Sequence, residues 1–197
     1  MLHFYHGVMG SSKTAQLLMQ RYNYLQLGLK VALVKPAVDT RVSVNTVYSR
    51  VGLQAEADLV LEPGNSFREQ VNWLAVQHAH SDFQYVFVDE AQFLTEDQVQ
   101  EMADMADELE IFCYGLKTDF MGQFFPGSAA LLRLAEDIQE VTGSLCWCGK
   151  KATMNTRVDG KGRVIKQGAQ VLIDNQNEIR YIGLCYRHWR DGIAHGE

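Results

Sequence analysis

The chain has 197 residues, 47% of them hydrophobic and 21% charged, with a net charge of −6. This is room for one good core, or one domain with a small appendage, in a composition ordinary for a globular protein in water. It excludes a basic nucleic-acid binder, because no Lys/Arg surplus or stripe is present, and no apolar run approaches the roughly 18 residues of a membrane span. The opening residues, Met1–His6, lack the basic, apolar and small-residue regions of a signal peptide, so the expected location is cytoplasmic. An acidic protein can still hold a nucleotide, because a phosphate-binding loop works through local amides and one lysine.

In chain order, LHFYH reads as a strand that turns sharply at Gly7, and TAQLLMQRYNYLQLG (14–28) as a helix carrying Leu17, Leu18, Tyr22 and Leu25, with Gly28 placed to end it. KVALVKP is a short buried strand stopped by Pro36, so the first forty residues form one strand–helix–strand unit. Residues 37–65 are polar and read as an irregular surface loop. A helix over SFREQVNWLAVQHAH (66–80) follows. FQYVFVDEAQFL is then an apolar strand running into two carboxylates, and TEDQVQEMADMADEL (95–109) is a helix with Thr95 as its N-cap. LEIFCYGLKTDF supplies another strand, with Cys113 as a buried strand residue, and GSAALLRLAEDI (127–138) a further helix. Strands alternating with helices imply a mostly parallel α/β sheet with helices on its faces. The texture changes near residue 143 to short strands, turns and cysteines, with a hairpin expected at VDGKGRV. The expected division is a nucleotide-binding α/β domain over 1–142 and a small β-rich lobe over 143–197.

Three groups of residues carry chemistry. The first is GVMGSSKT (Gly7, Val8, Met9, Gly10, Ser11, Ser12, Lys13, Thr14), which approximates the phosphate-loop pattern G-x-x-x-x-G-K-[ST] between a strand and a helix. Successive amides and the helix N-terminus would hold phosphate oxygens, Lys13 would neutralise the β- and γ-phosphates, and Thr14 would offer its hydroxyl to Mg²⁺. Ser12 stands where the pattern has glycine. Serine serves there if its φ is negative, or at a cost of roughly 1–3 kcal/mol. Taken alone, the loop is also compatible with a Gly/Ser turn before an amphipathic helix, with Lys13 solvated.

The second group is Asp89 and Glu90, placed by YVFVDE at the carboxyl edge of a parallel strand, where function gathers in such sheets. Asp89 can reach Mg²⁺, and Glu90 can accept the proton of an attacking hydroxyl. The third is Cys146-Trp-Cys148 with Cys185-Tyr-Arg-His188, three sulfurs and an imidazole suited to a closed, structural Zn²⁺ site.

A phosphate loop, an acidic strand end and a small metal lobe, in this order, resemble the type II thymidine kinases, with the tight C-x-C spacing similar to that of a bacterial cytosolic branch. The likeness covers nearly the whole chain: GVMGSSKT, the DTR of Asp39–Arg41, VDEAQF, GLKTDFMGQFFPGS, LCWCGKKA and YIGLCYRH. It implies a RecA-like phosphate-loop domain with a zinc lobe, and transfer of the γ-phosphate of ATP to the 5′-hydroxyl of thymidine. Glu90 would be the general base, and Lys13, Thr14, Asp89, Gln92 and Arg41 would lie around the nucleotide and its Mg²⁺. Met9, Phe93, Leu116, Phe120, Phe125 and Tyr181 would form the base pocket, closed by a "lasso" loop that here has Asp174-Asn175 in place of a Gly-Gly pair. The resemblance also implies a homotetramer and feedback inhibition by dTTP, the triphosphate end product. The rivals are a phosphate-loop NTPase without a nucleoside acceptor and a nucleotide-binding protein with weakened catalysis.

Overall fold

The computed structural model describes residues 1–39, 43–78, 83–170 and 179–196. Strand β1 (Leu2–His6) leads through the Gly7–Ser12 loop into helix α1 (Lys13–Gln26) and then β2 (Val31–Pro36). Helix α1 closes as the sequence expects. The amides of Leu27, Gly28 and Leu29 bond back to carbonyls of the last turn, and Gly28 takes a φ of 73°, the left-handed exit that glycine makes cheap. Leu17 and Leu18 are buried, whereas Tyr22 and Leu25 are exposed beside Met19.

Residues 37–65 are not an irregular loop. They contain β3 (Thr46–Tyr48) and β4 (Gln54–Glu56), an antiparallel hairpin, and β5 (Leu59–Leu61), which pairs parallel with β2. Each strand is three residues long, too short to show periodicity in a polar segment. What holds them is tertiary. Val47, Leu59 and Leu61 are buried, and the ammonium of Lys35, 1% exposed in β2, donates to the carbonyls of Ser43 and Thr46 at 2.8 Å each while pairing with Asp39 at 3.3 Å.

Helix α2 (Phe67–Gln77) is capped by Ser66, whose hydroxyl accepts from the Glu69 amide. Strand β6 (Tyr85–Val88) runs into a single 3-10 turn, Ala91–Phe93. Helix α3 (Glu96–Met105) opens on a full capping box between Thr95 and Gln98. Strand β7 (Glu110–Gly115) and helix α4 (Pro126–Leu134) follow. The expected helix over 127–138 is therefore corrected at its end. Ala135 turns extended, and β8 (Asp137–Glu140) pairs parallel with β1. DIQE is an exposed edge strand, and charge at a sheet edge blunts further pairing while hiding the strand pattern.

Among the described residues the main sheet has six parallel strands in the order β5-β2-β6-β7-β1-β8. Side chains alternate across it. Leu2, Phe4, Ala32, Val34, Val86, Val88, Ile111 and Cys113 pack on one face with α2, α3 and α4. Val31, Leu33, Phe87, Phe112 and Tyr114 pack on the other with α1 and Val47. β2 is buried at all six positions, as a central parallel strand must be. Beyond β8 the described residues form a three-stranded antiparallel sheet, β10-β9-β11, from β9 (Met154–Val158), β10 (Val164–Ile165) and β11 (Arg180–Leu184), followed by helix α5 (Tyr186–Asp191). The β9–β10 pair is the hairpin expected at VDGKGRV. No described helix is long and apolar enough to cross a membrane.

Candidate active site

The carboxyl ends of β1, β6 and β7 meet at one edge of the sheet. At β1 the chain turns at Gly7, whose amide donates to the Gly115 carbonyl. A Cβ on Gly7 would stand 2.5 Å from the Ser11 hydroxyl and 2.7 Å from the Val141 carbonyl, so only glycine fits. Gly10 takes φ 81° and Ser12 φ 69°, ψ 23°. Ser12 is thus the left-handed N-cap of α1, without a side-chain cap bond. The serine occupies the conformation that favours the glycine of the general pattern.

Lys13 is 8% exposed, and its ammonium donates to the carbonyls of Gly7 and Val8 at 3.0 Å each. The next residue, Thr14, reaches across to the end of β6 and donates from its hydroxyl to both oxygens of Asp89, at 3.1 and 3.0 Å. One hydroxyl and one carboxylate, both of a kind that can hold a divalent cation, thus meet next to the lysine in sequence. Asp89 and Glu90 are both nearly buried, at 4% and 8% exposure. Glu90 has φ 49°, a second non-glycine residue in the left-handed region. Such conformations cost of order 1–3 kcal/mol and persist where surrounding contacts enforce them.

Those contacts are visible. The Gln92 amide nitrogen donates to Glu90 at 2.5 Å, and its oxygen accepts from the Leu116 amide at 2.9 Å. The Leu116 carbonyl in turn accepts from the Ser128 hydroxyl at 2.6 Å. Gln92, 1% exposed, thus locks the carboxylate to the end of β7.

Above this edge lies a cavity of about 170 Å³. One wall is Met9, Ser12, Lys13, Thr14, Glu90 and Leu116. The other is the tip of the β3–β4 hairpin, Tyr48, Ser49, Arg50 and Val51, which sequence reasoning missed with the hairpin itself. Phe93 and Phe125 meet edge to face, ring centroids 5.8 Å apart. Phe120 is 2% exposed and carries the guanidinium of Arg157 3.7 Å above its ring. Arg157, 1% exposed, donates to the Tyr181 hydroxyl at 2.8 Å and to the Ala169 carbonyl at 2.8 Å. It is the residue that joins Phe120 to Tyr181. Its only trace in the sequence is a cation in the otherwise uncharged strand MNTRV. Arg41 and the Asp174-Asn175 turn lie outside the described residues.

In the smaller sheet's region, Cys146, Cys148, Cys185 and His188 place their ligand atoms within 4.8 Å of one another. The Nδ1 atom of His188 lies 3.3 Å from Cys146 Sγ and 3.5 Å from Cys185 Sγ. A tetrahedral zinc with ordinary Zn–S and Zn–N lengths gives sulfur–nitrogen edges of about 3.6 Å, so the donor set fits that ion. Gly149, φ 81°, closes the first knuckle, and the Trp147 ring stacks on His188 at 4.3 Å. His3 and His6 lie away from this cluster. The His3 ring bridges Asp137 at 3.0 Å and Glu110 at 2.7 Å on the sheet. His6, at the end of β1, is held below the ordinary histidine range by burial and then by the charge of Lys117.

A family model described as thymidine kinase matches residues 1–189. The chain belongs to the thymidine kinase family. Its relatives within that family are similar over nearly their full length. The thymidine kinase of Rhizobium meliloti (strain 1021) is 41% identical over 197 residues, 99% of this chain and 98% of that one. The thymidine kinase of Yersinia pseudotuberculosis serotype I (strain IP32953) is 38% identical over 194 residues, 98% and 95% respectively. That of Chromobacterium violaceum is 41% identical over 190 residues, 95% of this chain and 98% of its own. The matched residues 1–189 span both the sheet-edge segments and the cysteine–histidine segments of this chain.

Proposed function

We propose that this chain transfers the γ-phosphate of ATP to the 5′-hydroxyl of thymidine, giving dTMP and ADP. The observation that carries it, beside family membership, is the convergence of Lys13, Thr14–Asp89 and the Gln92-held Glu90 on one cavity at the sheet edge. Glu90 takes the proton of the 5′-hydroxyl as the new O–P bond forms and the bond between the γ-phosphorus and the β–γ bridging oxygen breaks. The loop amides and the α1 N-terminus receive the phosphates, and Lys13 turns from its loop carbonyls to their charge. Thr14 and Asp89 would hold Mg²⁺, which supplies charge neutralisation to the transferring group. Met9, Phe93, Leu116, Phe120, Phe125 and Tyr181 would house the thymine, with Arg41 on the nucleotide side. Cys146, Cys148, Cys185 and His188 hold a structural Zn²⁺. The working division is a nucleotide unit over 1–142 and a zinc lobe over 143–197.

A homotetramer inhibited by dTTP in the cytoplasm belongs to the same proposal. The exposed Met19, Tyr22 and Leu25 on α1 support an assembly face, and light scattering should give four times the chain mass. The alternative, nucleotide binding with catalysis weakened by Ser12 in place of the loop glycine, is not favoured by membership of the thymidine kinase family. The test is phosphoryl transfer from ATP to thymidine beside other nucleosides. Wild type should make dTMP, and Glu90→Gln should lose about 10²–10⁴-fold in kcat while still binding nucleotide. Nucleotide binding with no dTMP from wild type would favour that alternative.

A further inference from the structure

Outside the residues assigned above, the buried side chain of Asn155 joins its own strand to two other parts of the chain. Asn155 lies in β9 and is 3% exposed. Its Oδ1 accepts from the Met9 amide of the phosphate loop at 2.8 Å. Its Nδ2 donates to the carbonyl of Thr118, in the segment between β7 and α4, at 2.6 Å. Met9 is held on its other side too, since its carbonyl accepts from the Ser144 hydroxyl at 3.5 Å, two residues before Cys146. Strand β11 presses on the same spot. A Cβ on Gly183 would stand 2.9 Å from the Ser144 hydroxyl and 3.3 Å from a Val8 methyl, so the strand needs glycine to come this close. β11 then runs straight into Cys185.

We propose that Asn155 is a positioning residue for phosphoryl transfer: it fixes the phosphate loop against the zinc lobe, so that the ATP site depends on the order of a lobe whose ligands it does not share. This rests on the function proposed above. A phosphate loop works by aiming successive amides into one concavity. Asn155 takes the Met9 amide out of that set and uses it as the loop's fixed point, leaving the later amides to face the anion. A carboxamide is suited to the place because it accepts from one backbone and donates to the other with one rigid plane.

The test compares wild type, Asn155→Leu and Asn155→Asp, with zinc content and circular dichroism measured for each. Asn155→Leu leaves the Met9 amide and the Thr118 carbonyl without their partners, and the KM for ATP should rise about tenfold. One zinc per chain should be retained. Asn155→Asp should show the same defect at pH 8, shrinking relative to wild type toward pH 5.5, because only the protonated acid can both accept and donate. Chelating the zinc from wild type should weaken binding of a non-hydrolysable ATP analogue to a similar extent. An ATP KM within about twofold of wild type in a folded, zinc-retaining Asn155→Leu would overturn the inference. Should Asn155→Leu not fold, a pH-independent defect in Asn155→Asp overturns it instead. A wild type that makes no dTMP sinks the proposed function, while the analogue-binding arm still decides the coupling.

Discussion

Replacing Ser12 with glycine isolates the cost of a side chain in the phosphate loop. Ser12 sits at φ 69°, ψ 23°, is exposed and makes no cap bond with its hydroxyl, so the substitution removes no stabilising contact. The left-handed region costs an L-residue roughly 1–2 kcal/mol. Glycine's greater freedom in the unfolded chain offsets roughly 0.5–1 kcal/mol of that gain. Ser12→Gly should therefore stabilise the chain by about 0.5–1 kcal/mol, which at this size raises Tm by about 1–4 °C. The backbone cost is present with and without nucleotide, so it moves Tm and not affinity. A fall in the KM for ATP would report something separate, the removal of a hydroxymethyl group from the cavity wall. Ser12→Ala is the control, since it keeps the Cβ and should not gain stability. Scanning calorimetry of the three proteins, with ATP titrations beside it, separates the two effects. A Ser12→Gly protein that melts at or below Ser12→Ala would refute the reasoning.

Gly127→Ala in α4 should be destabilising by about 2 kcal/mol, as overpacking generally is, because its Cβ would meet the carbonyls of Leu94, Ala91 and Gln92 at 2.6, 2.7 and 3.0 Å. Denaturant melts measure this, and kcat should fall as well, since those carbonyls belong to the turn that carries Glu90. His6 binds its proton more weakly in the folded chain than its ordinary value of 6.5. Below about pH 6.5 the unfolded chain therefore takes up more protons, and stability should fall as pH drops from 6.5 toward the lower folded value. A His6→Gln variant should flatten that part of a melting-versus-pH curve. Cys185→Ser should lose the single zinc measured by metal analysis and lower Tm; a variant that kept one equivalent would exclude Cys185 as a ligand.

The end of α1 and the start of α3 were legible because their signals are local. Gly28 and Thr95 each act within a few residues of where they stand. The gathering of Asp89, Glu90 and Lys13 at the sheet edge, and of Cys146, Cys148, Cys185 and His188 in one cluster, was legible because such chemistry demands particular residue types at strand ends and knuckles. β3, β4 and β5 were not, because three-residue strands in a polar segment are fixed from below by Lys35 rather than by their own pattern. β8 was hidden by the charges that suit an edge. Asn155 and Arg157 take their roles from partners remote in sequence, 146 residues away in the case of Met9, and nothing in MNTRV announces such partners.

Cys113 is fully enclosed in β7, and burial pushes its thiol well above the ordinary range. Its thiol donates to the Met102 sulfur at 3.9 Å. A thiol-directed reagent added to native protein is therefore blind to it, and of the other three cysteines Cys146 and Cys185 are also buried, so Cys148 is the exposed thiol that such a reagent meets. Colour released by such a reagent starts at one equivalent from a vacant cluster, and the thiol of Cys113 appears only when the sheet itself comes apart.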